Sequence, residues 1–100
     1  MSRRTLTSPT ATAVGPYSHG VVVEPGEMVY LSGQTPIDPV TGALVVGDVG
    51  TQTRQCFANL FAVLANGAMT EANVVKVNVF LTDMADFDAM NVAYREHFAE

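Results

Sequence analysis

Val29-Tyr30-Leu31-Ser32-Gly33-Gln34-Thr35-Pro36-Ile37-Asp38-Pro39-Val40-Thr41-Gly42 is the stretch around which the rest of the chain is organised. Its opening, from Met28 to Leu31, is apolar and carries β-branched and aromatic side chains, the composition of a strand. The run breaks at Ser32-Gly33-Gln34, where a glycine lets other atoms approach the backbone closely. Asp38-Pro39-Val40-Thr41-Gly42 then reads as a turn, with Pro39 pre-setting φ at the second position and Gly42 accepting a positive φ. A strand that ends in Ser32, Gly33 and Gln34 delivers polar groups to its mouth, a common way to line a pocket. Taken alone, the plainer reading of strand, loop and turn is favoured, because short motifs often match by chance.

Upstream, Arg3 to Thr7 is a short strand ended by Ser8-Pro9, and Thr10 to Ser18 is a loop of small residues. Val21 to Glu24 forms the next strand, and Pro25-Gly26 turns it back onto Met28–Leu31, predicting a hairpin. The run Val21-Val22-Val23 predicts cover on both faces. Downstream, Ala43 to Val46 is a short extended piece, and Gly47-Asp48 opens a helix with Asp48 as N-cap. Val49, Cys56, Phe57, Leu60, Phe61 and Leu64 fall at helical spacing. Asn66-Gly67 stops that helix, with Gly67 expected in the left-handed conformation. Thr70 caps a single turn over Glu71 to Asn73. The segment Val74 to Thr82 reads as a strand, with Val75, Val77, Val79 and Leu81 on one face and Lys76, Asn78, Phe80 and Thr82 on the other. Asp83 ends it, and Asp86 is the expected cap of a second helix with the stripe Phe87, Met90, Tyr94 and Phe98. The order β-β-β-α-β-α predicts an α+β fold, a two-layer sandwich.

One hundred residues make one domain, spanning 1–100. Apolar residues make up 48% and charged residues only 15%, thin cover for a small surface. Other subunits or a further segment are therefore expected to cover part of it. The net charge is −5 and the five cations, Arg3, Arg4, Arg54, Lys76 and Arg95, are scattered, which argues against a nucleic-acid partner. The single Cys56 excludes an intrachain disulfide and fits a reducing compartment. No apolar run reaches membrane-spanning length, and no apolar stretch of secretory type follows Arg3-Arg4. A soluble, cytoplasmic protein with no membrane partner is expected.

Few residues offer chemistry by themselves. Asn91 lies within the apolar stripe of the second helix, and a buried amide must find hydrogen-bond partners. It is either a structural brace or an amide that fixes a loop or ligand. Tyr17, after Gly15-Pro16, has a reproducibly placed ring, and a structural role is the plainer reading. His19 and His97 each stand alone without a second ligand at metal spacing, so no metal is expected. His97, in the last helical turn, suits the helix dipole. Cys56 on an apolar helix face reads as a small buried hydrophobe. Asp83, Asp86 and Asp88 read as caps and solvated charge. Nucleophile-elbow, P-loop and dinucleotide-binding glycine patterns are absent from the sequence.

In combination the motifs become specific. Gly15-Pro16-Tyr17-Ser18, Leu31-Ser32-Gly33-Gln34, Asp38-Pro39-x-Thr41-Gly42 and Gly47-Asp48-Val49-x-x-Gln52-Thr53 occur in order, followed by Val74-Val75-Lys76-Val77-x-Val79-Phe80-Leu81-Thr82-Asp83-Met84-x-Asp86-Phe87-x-x-x-Asn91-x-x-Tyr94. From about Thr5 to Phe98 the chain resembles the reactive intermediate deaminase (Rid, YjgF/YER057c/UK114) family. The resemblance implies a chorismate-mutase-like α+β fold and a homotrimer whose sheets form a central barrel, with ligand sites between subunits. It also implies hydrolysis of enamine/imine intermediates, of the 2-aminoacrylate or 2-iminopropanoate type, to a 2-oxo acid and ammonia, with no cofactor and no metal. Tyr17, Ser32, Gly33 and Asn91 match positions that the family places around its cleft.

The family's deaminating branch carries a carboxylate-binding arginine after the second helix, in a Pro-Ala-Arg-Thr/Cys-like segment. A glutamate near the final strand follows. The sequence stops at Ala99-Glu100, before either residue, so no catalytic residue is assigned. The expectation is that the family's last strand segment is missing from these 100 residues, and that they have little or no activity alone. The alternative to an enzyme is a non-catalytic module that holds a small metabolite in the same intersubunit cleft.

Overall fold

A computed structural model of the chain describes residues 3–11, 18 and 20–98. Tyr17, Gly15-Pro16 and His19 lie outside the described residues. Strand β1 (Arg3–Leu6) pairs antiparallel with β2 (Gly20–Val23), in the register Arg3↔Val23 to Leu6↔Gly20. Helix α1 (Val49–Asn66) packs on α2 (Phe87–Arg95), and single 3-10 turns occupy Glu71–Asn73 and Met84–Asp86. The architecture is α+β: a small antiparallel sheet and two helices.

The predicted hairpin of Val21–Glu24 with Met28–Leu31 is corrected, since β2 takes β1 as its ladder partner. Among the described residues, Met28–Leu31 and Val74–Thr82 join no ladder, so the β-β-β-α-β-α order becomes β-β-α-α in regular elements. The reason is physical: a strand is completed by a neighbour that takes its N–H and C=O groups, and composition cannot supply that neighbour. Val21, Val22 and Val23 are half-buried, not covered on both faces.

Local chemistry explains the helix ends. Asp48 caps α1, accepting a hydrogen bond from the Thr51 backbone N–H at 2.9 Å. At the other end Gly67 is not left-handed (φ −99°), and Ala68 takes that role at φ +59°. Met69 N–H bonds to Leu64 O at 2.9 Å and Ala68 N–H to Ala65 O at 3.0 Å. This is a Schellman closure shifted one residue past the expected glycine. Thr70 and Asn73 form a reciprocal capping box around their 3-10 turn. Asp86 makes no side-chain cap. Asp83 caps instead, accepting from Ala85 N–H at 2.9 Å, because the Met84–Asp86 turn runs straight into α2.

The core sits between the helices. Phe57, Leu64, Met90 and Ala93 are its buried apolar members. The Phe57 ring lies 5.5–5.9 Å from the rings of Phe61, Tyr94, His97 and Phe98, edge-on or tilted to all but Phe61, which stacks. His97 lies just beyond α2, not in its last turn. Its Nδ1 is 2.9 Å from Glu71 Oε2, tying the 3-10 turn at 71–73 to the end of α2. Arg54 and Glu96 form a forked, half-exposed ion pair, with Nε to both carboxylate oxygens and Nη2 to Oε2 at 2.8 Å.

Candidate functional site

The Ser32-Gly33-Gln34 loop leads into a closed arm. Asp38 N–H bonds to Ala43 O and Val45 N–H to Pro36 O, at 2.9 and 2.8 Å, and these flank an antiparallel bridge between Ile37 and Leu44. The Asp38–Gly42 turn forms as expected. Asp38 Oδ1 accepts from Val40 N–H at 2.8 Å and Gly42 adopts φ +73°.

This arm is seated on α1 by three side chains. Cys56 Sγ donates to Gln34 O at 3.6 Å, Asn59 Nδ2 to Ile37 O at 2.9 Å, and Gln52 Nε2 to Val45 O at 3.2 Å. Positions 52, 56 and 59 fall on one stripe of a 3.6-residue helix. Gln55 Nε2 donates to Asn59 Oδ1 at 2.9 Å, which complements the Asn59 orientation set by the Ile37 carbonyl. Reading the sequence for apolar spacing passes over Gln52, Gln55 and Asn59. The signal that finds them is polar residues at helical spacing beside the apolar stripe.

Ser32 and Gly33 are exposed, and the space a side chain would fill at Gly33 is open. Backbone there is free to meet a ligand. Asn91 is buried in α2 at 7% exposure. No buried side-chain nitrogen or oxygen lacks a partner among the described residues, so its amide is satisfied. The structure thus puts Ser32 and Gly33 at the root of an arm carried by α1, and Asn91 within the helix packed against α1. Tyr17 lies outside the described residues.

A groove of about 220 Å³ runs between the 77–81 segment and α2, lined by Val77, Val79, Leu81, Met84, Phe87, Met90 and Tyr94. It contains none of the expected site residues and is smaller than the usual ligand pocket of roughly 300 Å³ or more. It is the apolar seam of the fold. Partial burial raises the Cys56 thiol above its ordinary pKa, which favours the protonated sulfur that donates to Gln34 O. Among the described residues no group of three His, Cys, Asp or Glu side chains could hold a metal ion, and no helix is long and apolar enough to cross a membrane.

The α+β chain, with its Ser-Gly-Gln loop seated on the first helix and a buried asparagine in the second, is matched by a known family. Residues 7–100 match the family described as Endoribonuclease L-PSP, and the chain belongs to that family, also called YjgF/Rid. It is 43% identical over 99 residues to the protein DfrA of Myxococcus xanthus, covering 98% of this chain and 76% of the relative. It is 40% identical over 100 residues to the 2-iminobutanoate/2-iminopropanoate deaminase of Salmonella typhimurium, covering 100% of this chain and 76% of that enzyme. The crystal structure of the YjgF gene product of E. coli superposes with a TM-score of 0.68 at 35% identity, covering 97% of this chain and 78% of the other.

Proposed function

We propose that the protein hydrolyses 2-imino acids, of the 2-iminopropanoate and 2-iminobutanoate type, to 2-oxo acids and ammonia. The observation that carries this is the 40% identity, across all 100 residues, to a deaminase of those substrates. The chemistry is balanced by water alone. Water adds to C2 of the protonated imine and forms the C–O bond. A proton passes from that oxygen to nitrogen, the C–N bond breaks, and ammonia leaves as the carbonyl forms. Ser32 and Gly33 are read as the rim that receives the substrate, Asn91 as a buried brace and Tyr17 as a ring contact. Arg54 is held by Glu96, so it is not assigned to the substrate carboxylate.

The assembly read for this function is a homotrimer with its sites between subunits. The chain exposes 7133 Å², against roughly 5,500 Å² for a compact monomer of its 10.6 kDa mass, a surplus that other subunits or a further segment would cover. Phe80, Tyr30, Val40 and Val46 are among the exposed apolar side chains. The family's description names an endoribonuclease, but a net charge of −5 favours a small-molecule substrate over a phosphate backbone. The lone thiol, Cys56, fits a cytoplasmic setting.

The test generates 2-iminopropanoate by oxidising alanine with an amino-acid oxidase in the presence of semicarbazide, which traps unhydrolysed imine. The expected result, with the protein expressed from its whole gene, is a dose-dependent fall in semicarbazone with matching pyruvate and ammonia. An unchanged rate of trapping at stoichiometric protein would overturn the enzyme. If 2-oxobutanoate still bound under those conditions, the metabolite-holding module would take its place. Sedimentation at three times the chain mass is the expected assembly result.

A further inference from the structure

Resting on the deaminase reading of Ser32 and Gly33, we infer that Asn59, bonded to Gln55, is a positioning residue that sets the placement of the Ser32–Gly33 rim. Three observations converge on it. The rim is exposed, with open space at Gly33, and the loop is bonded to α1 just after it. That root is tied to α1 at two backbone carbonyls, by Cys56 at Gln34 O and by Asn59 at Ile37 O. The Asn59 amide has one orientation that serves both partners: Ile37 O can only accept, so Nδ2 faces it, and Oδ1 then accepts from Gln55 Nε2.

A relay of this kind transmits the rigidity of a helix to a loop. Gln52 closes the far side of the arm at Val45 O, so the arm is held on both of its limbs. Asn59 holds the limb that carries the rim, at the shorter of the two direct nitrogen contacts, 2.9 against 3.2 Å. Cys56 holds the same limb through a longer and weaker sulfur donor. The ranking that follows is Asn59 first and Cys56 second.

The experiment compares Asn59→Asp, Cys56→Ala and Cys56→Ser with the unchanged full protein. Asn59→Asp keeps the shape but removes the donor and sets a carboxylate against the Ile37 carbonyl. The expected result is an increase of about fivefold in both KM for the imine and amide exchange at Ile37, Asp38 and Val45, the bonded amides at the base of the arm, the scale of one lost hydrogen bond. Turnover at saturation and exchange over 57–64 stay within about twofold of the parent, which a merely structural loss would not allow. Cys56→Ala shifts the same quantities by about twofold, and Cys56→Ser, which retains a donor, restores them. Wild-type KM and loop exchange in Asn59→Asp overturn the inference, as does faster exchange spread equally through α1. If the unchanged protein shows no turnover, the deaminase reading falls and loop exchange and 2-oxobutanoate affinity decide. Faster loop exchange with about fivefold weaker binding supports the positioning role, and parental values of both overturn it.

Discussion

The α1–α2 pair and the Val74–Thr82 segment are both rich in apolar side chains, yet they end at opposite extremes of exposure. Phe57 is 3% exposed and Phe80 is 91% exposed. A helix closes its backbone hydrogen bonds within itself, so α1 and α2 need only bury a stripe against each other. The 74–82 segment lines the groove beside α2 with one face, Val77, Val79 and Leu81. Its other face and its backbone edges meet no ladder partner among the described residues. Apolar content therefore does not decide which region is covered. What decides is whether the backbone can be satisfied locally.

One chemical change made in both places tests this most strongly. Phe57→Ala removes the ring at the centre of four ring contacts and is expected to cost about 3–5 kcal/mol. Phe80→Ala, measured at concentrations where the chain is monomeric, is expected to stay within about 0.5 kcal/mol. Urea midpoints with unchanged slopes read both, and similar losses at the two positions would break the comparison. Ala93→Leu comes next. Ala93 is fully buried between the helices, so the added bulk is expected to cost about 1–3 kcal/mol in the same titration. Ala68→Gly is smaller and opposite in sign. Relief of the left-handed alanine at φ +59° is expected to raise stability by about 0.5–1 kcal/mol.

The helical region also has the weakest effect, a pH dependence confined to its ends. The Thr51 backbone N–H beside Asp48 holds that carboxyl below its ordinary value of 3.8, and the hydrogen bond from Arg54 holds Glu96 below 4.5. Depressed carboxyls contribute fully above their ordinary values and lose that contribution as pH falls through the depressed ones. Stability from these two groups is therefore level from pH 7 to about 5 and declines below about 4. Asp48→Asn with Glu96→Gln is expected to flatten that acid limb of the urea midpoint, and a steeper limb would contradict the assignment.

The helices were legible because their signals are local. Asp48, Thr70 and the stripe through Phe57, Phe61 and Leu64 all act within a few residues. Gly42 was legible for the same reason. Gly67 misled because the closure needs only that some residue accept positive φ, and Ala68 does so one step later. The strand pairings were not legible, since nothing local to β2 selects its neighbour, and its Val21 pairs with Thr5, 16 residues upstream. At the site, the Ser32-Gly33 loop could be read as a loop. Its seating could not: polar Gln52, Gln55 and Asn59 recur at helical spacing, but that spacing does not say what they bind, and Cys56 and Asn59 meet carbonyls 22 residues away.

The apolar seam has a thermodynamic corollary. Val77, Val79 and Leu81 are laid at period-two spacing against Met84, Phe87, Met90 and Tyr94. The groove leaves that face only part-covered, with Val79 still 40% exposed. A partner strand along the 74–82 edge completes the backbone pairing and deepens apolar burial in one step, so its association carries the negative heat-capacity change of apolar burial.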